Sequence, residues 1–440
     1  MAAETHSGQR ARLLAAVVRV SAEHGYASAT VARVIEQAGV SRASFYEHFA
    51  DRADCFLAGV AEVEGRALED LRRKTEGRAA GEAVAAALTA LVELARKRPL
   101  EARCLMNETM AGGPRALAAR ERGIQAIARL IEQAHADAGA EARVPAAAAE
   151  VLVGATYRLL AARLRAGEPR LAGLGEELAR WAGAYAQPAR AQRWQRLDSL
   201  AAPARSPFLA RAPLEAPPAL APGRPARPKA AVAENHRLRI VFATAELIRA
   251  HGYGETSVAA ITRAAGVDGR AFYRVFKGRE EAVAATHAFF FQNAMAVAAG
   301  AFFAFEQWPR RVWEAGRTLL QLLAQNPALT HACVVEGHAG APASVRRLEE
   351  LQAGFTIFLQ EGYRQQPPDG VEAPSRVALE AIAHANFELI HRQARSDPHA
   401  LAGLEGRFAF TCLAPFLGAA RAGELVEELR RQPRGADEAG

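Results

Sequence analysis

The chain has few cysteines and lacks the common sequence motifs of catalytic and metal centres. Four cysteines are scattered over 440 residues without a CxxC pair, so neither a disulfide framework nor a zinc site is indicated. The patterns GxSxG and HExxH and the phosphate-binding P-loop are missing from the sequence. We therefore expect a protein that is not an enzyme and that holds neither a metal nor a cofactor.

Long apolar runs and strand-like alternation are also scarce. No apolar run reaches the roughly 18 residues that a membrane span needs, and the N-terminus lacks the charged-then-apolar layout of a signal peptide. Alanine and leucine dominate, and 50% of the residues are hydrophobic. These properties predict an all-α protein of the reducing cytoplasm without a membrane partner, long enough for two units of roughly 200 residues.

The segment Thr30–Arg52 has the pattern of two short helices joined by a tight turn. Apolar residues recur at helical spacing in the first helix: Val31, Val34, Ile35 and Ala38. Gly39 supplies the left-handed turn, and Ser41 is placed to cap the second helix. Phe45 and Phe49 share one face of that helix, and its polar residues face away. A helix-turn-helix presents such a polar face to the major groove.

This segment resembles the DNA-binding region of TetR-type repressors, whose pattern runs T/S-V-x-x-I-x-x-x-A-G-V-S-x-x-x-F/L-Y-x-H-F. Almost every position of that pattern is filled between Thr30 and Phe49. The alternative is an αα-hairpin inside an ordinary helical protein, because two short helices around a glycine are common. The resemblance implies a DNA-binding head followed by a helical body that receives a ligand and forms dimers.

The same pattern occurs a second time. The segment Arg12–Val60 aligns on Arg239–His287 without a gap, and fifteen of the 49 aligned positions are identical. The identities include the turn glycine, the inner-face phenylalanines and one tyrosine of each second helix. The relation continues farther on with a change of one position in the offset, and Pro99 recurs as Pro327 and Glu108 as Glu336. A period this long predicts tandem domains and excludes a solenoid.

The repeat and the composition together predict the domain boundaries. Residues 1–52 form head 1, with body 1 at 53–187, head 2 at 234–279, body 2 at 280–432 and a disordered tail at 433–440. The segment 188–233 is a linker with eight basic and two acidic residues and nine of the 22 prolines. It is either a tether that attracts phosphate or a solubilising spacer. Its apolar residues are candidates for docking onto a domain: Trp194, Leu197, Phe208 and Leu209.

Helical periodicity continues through both halves. Residues 1–9 are expected to be a frayed arm before a first helix at 10–24. Body 1 is predicted to hold helices at 52–73, 81–97, 100–111, 114–136, 145–166 and 171–186. The second half is predicted to hold helices at 235–251, 258–265, 269–276, 279–305, 309–325, 328–338, 343–365, 374–395 and 401–417.

The resemblance implies roles for the residues of head 1. Arg42 and Ser44 are expected at base edges, because arginine can contact guanine with two hydrogen bonds. Residues expected to hold phosphates and set the register are Thr30, Tyr46, His48 and Arg52. Ser41, Ala43 and Glu47 complete the predicted interface of this head.

Head 2 departs from the pattern at its second helix. Asp268 and Gly269 stand where head 1 has Ser41 and Arg42. Asp268 can cap the helix but repels a phosphate, and Gly269 has no side chain to read a base. The predicted interface is more basic than in head 1 and consists of Ser257, Asp268, Arg270, Ala271, Tyr273, Arg274, Lys277 and Arg279. We therefore expect an asymmetric operator, read by base contacts in one half and by backbone and shape in the other.

The bodies offer apolar residues for a small lipophilic effector of unknown identity. Body 2 is dense in aromatic residues, and its predicted pocket residues are Phe290, Met295, Trp313, His338 and Phe387. Body 1 offers Met106, Met110 and Tyr157. The alternative is that the aromatic residues are core. Histidine pairs two helical turns apart, such as His331 and His338, do not indicate a metal site.

Small residues suggest how the two units associate. A stripe in body 1 contains Val151, Leu152, Ala155, Leu159 and Ala162, and its counterpart in body 2 contains Ala378, Ala381, Ile382, Ala385 and Leu389. Such stripes let helices approach closely. They predict a covalent pseudo-dimer of the two units, which the linker is long enough to permit, with association of two whole chains as the alternative.

The resemblance also implies a function, and the departures of head 2 from the pattern keep an alternative open. The implied function is that of a repressor that releases double-stranded DNA when a ligand binds. Ligand binding would pivot the long helix after each head. The alternative function is an all-α ligand- or partner-binding protein in which head 2, or both heads, no longer read DNA.

Overall fold

The computed structural model describes residues 2–137, 139, 142–145, 147–167, 171–188, 197, 205–209, 213–220, 228–340, 342–365 and 371–431. The fold is all-α and divides into two compact units. Unit 1 comprises residues 1–192 together with Pro374–Ala385, and unit 2 comprises Arg193–Ala373 and Asn386–Gly440. The predicted linker therefore groups with unit 2 from residue 193 onwards, and the predicted tail at 433–440 lies outside the described residues.

Helices make up nearly all the regular structure of residues 2–188. They are α1 Ala2–His24, α2 Val31–Ala38, α3 Arg42–His48, α4 Arg52–Thr75, α5 Ala80–Lys97, α6 Pro99–Arg103, α7 Thr109–Ala111, α8 Gly113–Ala136, α9 Ala149–Arg165 and α10 Leu174–Gly183. A 3₁₀ turn occupies Tyr26–Ser28, and a π-helical turn occupies Cys104–Glu108. Two three-residue strands, β1 Arg143–Pro145 and β2 Ala186–Pro188, pair antiparallel with Val144 opposite Gln187.

The second half repeats this order. Its helices are α11 Lys229–His251, α12 Val258–Ala265, α13 Gly269–Val275, α14 Arg279–Phe302, α15 Trp308–Gln325, α16 Pro327–Thr330, α17 Pro342–Ala353, α18 Ile357–Gln360, α19 Arg376–Ser396, α20 Glu405–Leu417 and α21 Ala419–Arg431. A π-helical turn covers His331–Val335, and 3₁₀ segments cover Gly354–Thr356, Glu361–Arg364 and Pro398–Leu404.

Capping side chains and one glycine define the helix-turn-helix of each head. The Thr30 hydroxyl accepts the Arg33 N–H at 3.3 Å, and the Ser41 hydroxyl accepts the Ser44 N–H at 3.0 Å. Between them Gly39 ends α2 in the left-handed region with φ 62°. In the second half Ser257 and Asp268 are the caps and Gly266 is the left-handed residue with φ 58°. The expected start and stop signals are confirmed in both copies.

A long helix connects each head to its body. In unit 1 the helix α4 packs against α1 of the head and against α5 and α8 of the body. A Cβ atom on Gly59 would lie 2.9 Å from Cγ1 of Val17, so the glycine permits the close approach of α4 and α1. In unit 2 the helix α14 packs against α11, α15 and α17 in the corresponding way. Motion of either body can therefore reach its head through a single continuous helix.

Several expectations about local structure were wrong. Residues 2–9 belong to α1, so the predicted frayed arm is helical. The helices predicted at 100–111 and 328–338 are interrupted by π-helical turns. The short strand pair at Arg143–Pro145 and the helix Ala419–Arg431 were not anticipated. Three-residue strands and widened helical turns leave no distinct periodicity in the sequence, because both depend on tertiary contacts.

The described parts of the predicted linker are docked onto unit 2. The Ser206 N–H donates to Oε1 of Gln321 at 2.7 Å, and the Leu214 N–H donates to Oδ1 of Asn326 at 2.8 Å. Leu197 and Leu209 are buried, and the ring of Phe208 lies against Phe305. Docking is thus confirmed for three of the four predicted residues, and Trp194 lies outside the described residues. A freely flexible tether does not describe these segments.

The apolar interior contains all four cysteines, which are buried and free. Within the described ranges, no three His, Cys, Asp or Glu side chains are grouped to hold a metal ion. Two helices, Arg279–Phe302 and Pro398–Leu417, pass a length and composition test for membrane spans, and 44% and 72% of their most apolar windows are buried. Core helices pass the same test, so this property is weak evidence for a membrane span.

Candidate nucleic-acid interface

The second helix of the helix-turn-helix in head 1, α3, has a buried face and an exposed face. Phe45 and Phe49 are buried, with ring centroids 5.8 Å apart. Tyr46 is 49% exposed on the other side, and the Arg42 guanidinium lies 5.8 Å from the centre of its ring. Burial of the two phenylalanines fixes the helix on the head, so its outer face is available for a partner.

Head 2 reproduces this geometry. Phe272 and Phe276 are buried with ring centroids 6.0 Å apart, and Tyr273 is 62% exposed. Among the described residues only five large hydrophobic side chains are exposed, and Tyr46 and Tyr273 are two of them. The exposure of a tyrosine at the same position of both copies distinguishes this face from the rest of the surface.

Most of the predicted interface residues lie on the exposed faces. The exposed members are Thr30, Ser41, Arg42, Ala43, Tyr46 and Glu47 in head 1 and Ser257, Asp268, Arg270, Tyr273, Arg274 and Lys277 in head 2. They bring together cations, hydroxyl groups and an aromatic ring, which are suited to phosphates, base edges and stacking. Their roles in binding stay predictions.

Two predicted residues face the interior of their heads, which does not favour their expected direct contact with DNA. Ser44 is 7% exposed, and its hydroxyl bonds to Oε1 of Gln9 in α1. Ala271, at the equivalent position of head 2, is 2% exposed. Each residue precedes the buried phenylalanine, and the Ser44 hydroxyl reaches α1. The Ser44 hydroxyl therefore helps to hold α3 against α1, and its predicted base contact stays a prediction.

Arg52 holds the turn that follows α1 in head 1, and Arg279 holds the turn that follows α11 in head 2. Nη1 of Arg52 donates to the Tyr26 and Ala27 carbonyl oxygens, both at 3.1 Å, and its guanidinium lies 4.3 Å from the centre of the Tyr26 ring. Arg279 lies 4.6 Å from the centre of the Tyr253 ring. These contacts hold the turn in each head, and Nη1 alone makes both Arg52 hydrogen bonds, so the predicted DNA contacts of the two half-buried arginines stay predictions.

His48 is half-buried at the end of α3. Its ring centroid lies 4.0 Å from that of His6 in α1, whose residues 2–9 were expected to be frayed. Burial, and then the neighbouring His6, lower the pKa of His48 below its ordinary value. A neutral imidazole donates a hydrogen bond to a phosphate more weakly than an imidazolium.

The charge at the start of the second helix of the helix-turn-helix, α3 in head 1 and α13 in head 2, differs between the heads. In head 2 the Asp268 carboxylate accepts the Ala271 N–H at 2.7 Å. That hydrogen bond, together with Arg274 and His236, lowers the pKa of Asp268. A carboxylate therefore stands at the point where head 1 has the neutral Ser41 hydroxyl, beside the exposed Arg270 and Arg274.

A buried glutamate links each body to its head, a feature that was missed in the sequence. Oε2 of Glu108 accepts the Tyr26 N–H at 2.7 Å, and Oε2 of Glu336 accepts the Tyr253 N–H at 2.7 Å. Burial raises the pKa of Glu108, opposed by the hydrogen bond from Tyr26. We call these two glutamate–backbone hydrogen bonds the head–body latch. The recurrence of Glu108 as Glu336 in the sequence was a signal for it.

The predicted ligand residues of body 1 are buried. Met106 and Met110 lie in and just after the π-helical turn, and Tyr157 lies on α9. The Arg120 guanidinium is 5.9 Å from the centre of the Tyr157 ring. Burial raises the pKa of Tyr157 above its ordinary value. The region is apolar with a cation–aromatic contact, and its use by a ligand stays a prediction.

The aromatic residues of body 2 pack on one another. The rings of Phe291, Phe355 and Phe387 lie pairwise 6.2 to 6.4 Å apart. Of the other predicted pocket residues, Phe290, Trp313 and His338 are buried and Met295 is half-buried. These contacts favour the alternative of an aromatic core, so the pocket in body 2 also stays a prediction.

Comparison with known families assigns the two heads. The profile of the bacterial regulatory proteins, tetR family, matches residues 13–58 and again residues 240–286. The two segments cover the helix-turn-helix of head 1 and of head 2. Both heads are TetR-family domains. The chain is thus a TetR-type protein of two tandem units.

Two curated relatives of this TetR-type chain share part of its sequence. The HTH-type transcriptional repressor AcnR of Corynebacterium diphtheriae is 41% identical over 63 residues, 14% of this chain and 33% of the relative. The AcnR repressor of Corynebacterium glutamicum is 38% identical over 68 residues, 16% of this chain and 36% of the relative. The similarity spans about a third of the length of these relatives.

Two solved structures resemble part of the chain. The fatty acid degradation regulator FadR from Bacillus halodurans has 16% identity and a TM-score of 0.35, covering 40% of this chain and 94% of that protein. FadR from Bacillus subtilis, solved in complex with stearoyl-CoA, has 15% identity and a TM-score of 0.33, covering 39% of this chain and 96% of that protein.

Proposed function

We propose that this TetR-type chain is a transcriptional repressor that binds double-stranded DNA through both heads and responds to a small lipophilic effector. The single observation that carries the proposal is the exposed tyrosine beside arginine on the second helix of each head. Exposed aromatic and cationic groups on a helix held by buried phenylalanines fit a helix-turn-helix that docks in the major groove.

Head 1 reads bases in this proposal. Arg42 is exposed at the first position of α3, where the N-terminal residues of a recognition helix meet base edges. A guanidinium there can donate two hydrogen bonds to guanine, and such a contact contributes about 1–3 kcal/mol of discrimination. Tyr46 and the capping residues Thr30 and Ser41 contact the backbone and set the register.

Head 2 binds mainly through the DNA backbone. Its Gly269 replaces Arg42 and has no base-reading side chain, and its Asp268 carboxylate repels a phosphate. Arg270, Arg274 and Lys277 are exposed and attract the duplex without regard to sequence. The operator is therefore asymmetric, with one half-site read by bases and the other by shape.

One chain supplies both heads of the DNA-binding species, as a covalent pseudo-dimer. The internal repeat supports this arrangement, and so does the grouping of Pro374–Ala385 with residues 1–192. Within unit 1, the Arg163 guanidinium pairs with the Glu380 carboxylate, and Ala381 and Ile382 are buried. Sedimentation of the DNA complex tests the stoichiometry: one 47.0 kDa chain per operator is expected, whereas two chains would support four heads.

The head–body latch gives ligand response a physical route. Glu108 belongs to the π-helical turn of body 1, and its carboxylate accepts a hydrogen bond from the backbone N–H of Tyr26 in the turn after α1. An effector with different affinities for two arrangements of this turn shifts the head between DNA-competent and incompetent positions. Met106 and Met110 lie next to Glu108 in the chain and are the nearest predicted ligand contacts.

The proposal is tested by selecting genomic DNA fragments with the full chain and titrating salt against the selected sites. We expect affinity for the selected site at least about a thousandfold above that for random duplex of equal length. Arg42→Ala should remove most of this ratio. Arg72→Ala on α4, an exposed arginine outside the head, is the matched control. Equal affinity for all duplexes overturns the proposal.

A second function is favoured by Asp268 and Gly269, which depart from the pattern of head 1. It is an all-α ligand- or partner-binding protein in which head 2, or both heads, no longer read DNA. If neither head reads DNA, only weak and strongly salt-dependent binding is expected, with no selected site. The fragment selection thus distinguishes the two functions.

A further inference from the structure

An open groove lies at the junction of head and body in unit 1. It has a volume of about 370 Å³ and is bounded by α1, α4 and the start of α6. Leu14, Val18, Val63 and Leu100 provide apolar lining. Ala15 and Glu62 lie at its edge, and both are exposed. A volume of this size lies within the range of small-molecule sites, about 300–1,000 Å³.

The repeat places two phenylalanines at the corresponding positions of unit 2. Ala15 is aligned with Phe242, and the same offset, carried two residues past the aligned segment, pairs Glu62 with Phe289. These two rings contact each other edge to face in unit 2, with centroids 5.5 Å apart, and both are half-buried. Unit 2 therefore carries a pair of aromatic rings on the helices that border the open groove in unit 1.

The correspondence does not depend on a choice of alignment. The helices α1 and α11 end at the aligned residues His24 and His251, and α4 and α14 begin at the aligned residues Arg52 and Arg279. The helices α4 and α14 are both 24 residues long. Position 15 of the first copy and position 242 of the second are thus at the same distance from the end of their helix.

The charged residues around the groove are already paired. The Arg66 guanidinium lies 2.7 Å from the Glu62 carboxylate and 3.1 Å from that of Glu101. Arg98 contacts Asp70 at 3.0 Å, and Arg19 lies 3.9 Å from Glu23. Since each arginine of the lining has a carboxylate partner, the groove offers a charged ligand no uncompensated ion, and its binding energy comes from the apolar surface.

We propose that the groove is a binding site for a small neutral aromatic molecule of about two rings. The ligand takes the place that Phe242 and Phe289 hold in unit 2. This site is separate from the effector residues predicted inside the bodies, and it goes beyond the proposed repressor function. Because the groove is bounded by the first helix of head 1, by α4 and by α6, its occupant ties that head to its body.

The test uses the full chain and the neutral two-ring fluorescent probe Prodan, a substituted naphthalene, titrated to saturation. The double variant Ala15→Phe/Glu62→Phe gives unit 1 the aromatic pair of unit 2 and is expected to bind one probe fewer per chain. Arg66 keeps Glu101 as a partner in this variant. Ala61→Phe is the matched control, because Ala61 is exposed on α4, as Glu62 is, but does not line the groove. It should bind as the unmodified chain does.

The reciprocal variant Phe242→Ala/Phe289→Glu opens unit 2 and is expected to bind one probe more. It decides the question if the filled variant does not fold, as judged by helical circular dichroism. The proposal is overturned if the unmodified chain has no saturable site, if the filled variant keeps the full stoichiometry, or if opening unit 2 adds no site. Because no DNA enters the assay, the outcome is independent of the repressor proposal.

Discussion

The two heads share one scaffold and present different outer faces. Both bury two phenylalanines, end the first short helix at a left-handed glycine and expose a tyrosine. Their outer positions diverge, with Arg42 against Gly269 and Glu47 against Arg274. Apart from the exposed tyrosine and the inward-facing Ser44 and Ala271, these two heads share residues that the core needs and differ at residues of the outer face. Residues of the inner face are constrained by packing, whereas residues of the outer face are constrained only by the molecule that they bind.

The largest expected effect tests the shared scaffold. Phe45→Ala and Phe272→Ala should each destabilise their own head by about 3–5 kcal/mol, because each removes a fully buried ring. Hydrogen exchange of the backbone amides in each head measures the loss. The two variants should agree within about 1 kcal/mol. Loss in only one head would mean that the two cores are not equivalent.

The head–body latch provides the second test. Glu108→Ala leaves the buried Tyr26 N–H without its acceptor, and the free energy of unfolding should fall by about 1–3 kcal/mol. Glu336→Ala should do the same for Tyr253. Glu108→Gln retains an acceptor and is the matched control. Urea unfolding followed by circular dichroism gives the values, and equal stability of the Ala and Gln variants would contradict the latch.

Substitutions at one equivalent position, Arg42 in head 1 and Gly269 in head 2, test the difference between the outer faces of the two heads. Arg42→Ala should lower discrimination between the selected site and single-base variants by about 1–3 kcal/mol. Gly269→Arg places the missing guanidinium in head 2, where a Cβ meets no atom within 4 Å, and should create base discrimination in the second half-site. Fluorescence anisotropy with mutated half-sites measures both changes. Equal sensitivity of the two half-sites in the unmodified chain would remove the asymmetry.

The smallest effect concerns the helix caps. Hydrogen bonding lowers the pKa of Asp268 below its ordinary value of 3.8, so this cap is complete above the unfolded pKa and weakens as pH falls through the lower folded pKa. Ser41 has no such titration. The Ala271 amide chemical shift should therefore move below about pH 4, where aspartate carboxylates titrate, whereas that of Ser44 should stay constant. Asp268→Asn keeps the cap and should abolish the change.

Much of the heads was predictable because their signals are local. Ser41, Gly39 and Phe45 act within a few residues of their own positions, so caps, turn and inner face follow from spacing. The burial of Ser44 was not predictable, because it depends on Gln9, which lies 35 residues away. The same is true of Glu108, whose partner Tyr26 lies 82 residues away. Contacts at such separations leave no periodic pattern in the sequence.

The sequence by itself determined the all-α class, the duplication and the two helix-turn-helix heads, because these arise from local propensity and from a repeat that is visible in the residues. The tertiary structure alone decided that Ser44 and Ala271 face inward, that linker residues dock onto unit 2 and that a groove stays open in unit 1 where two phenylalanines stand in unit 2. Each of these outcomes depends on which distant side chains meet, and packing decides that.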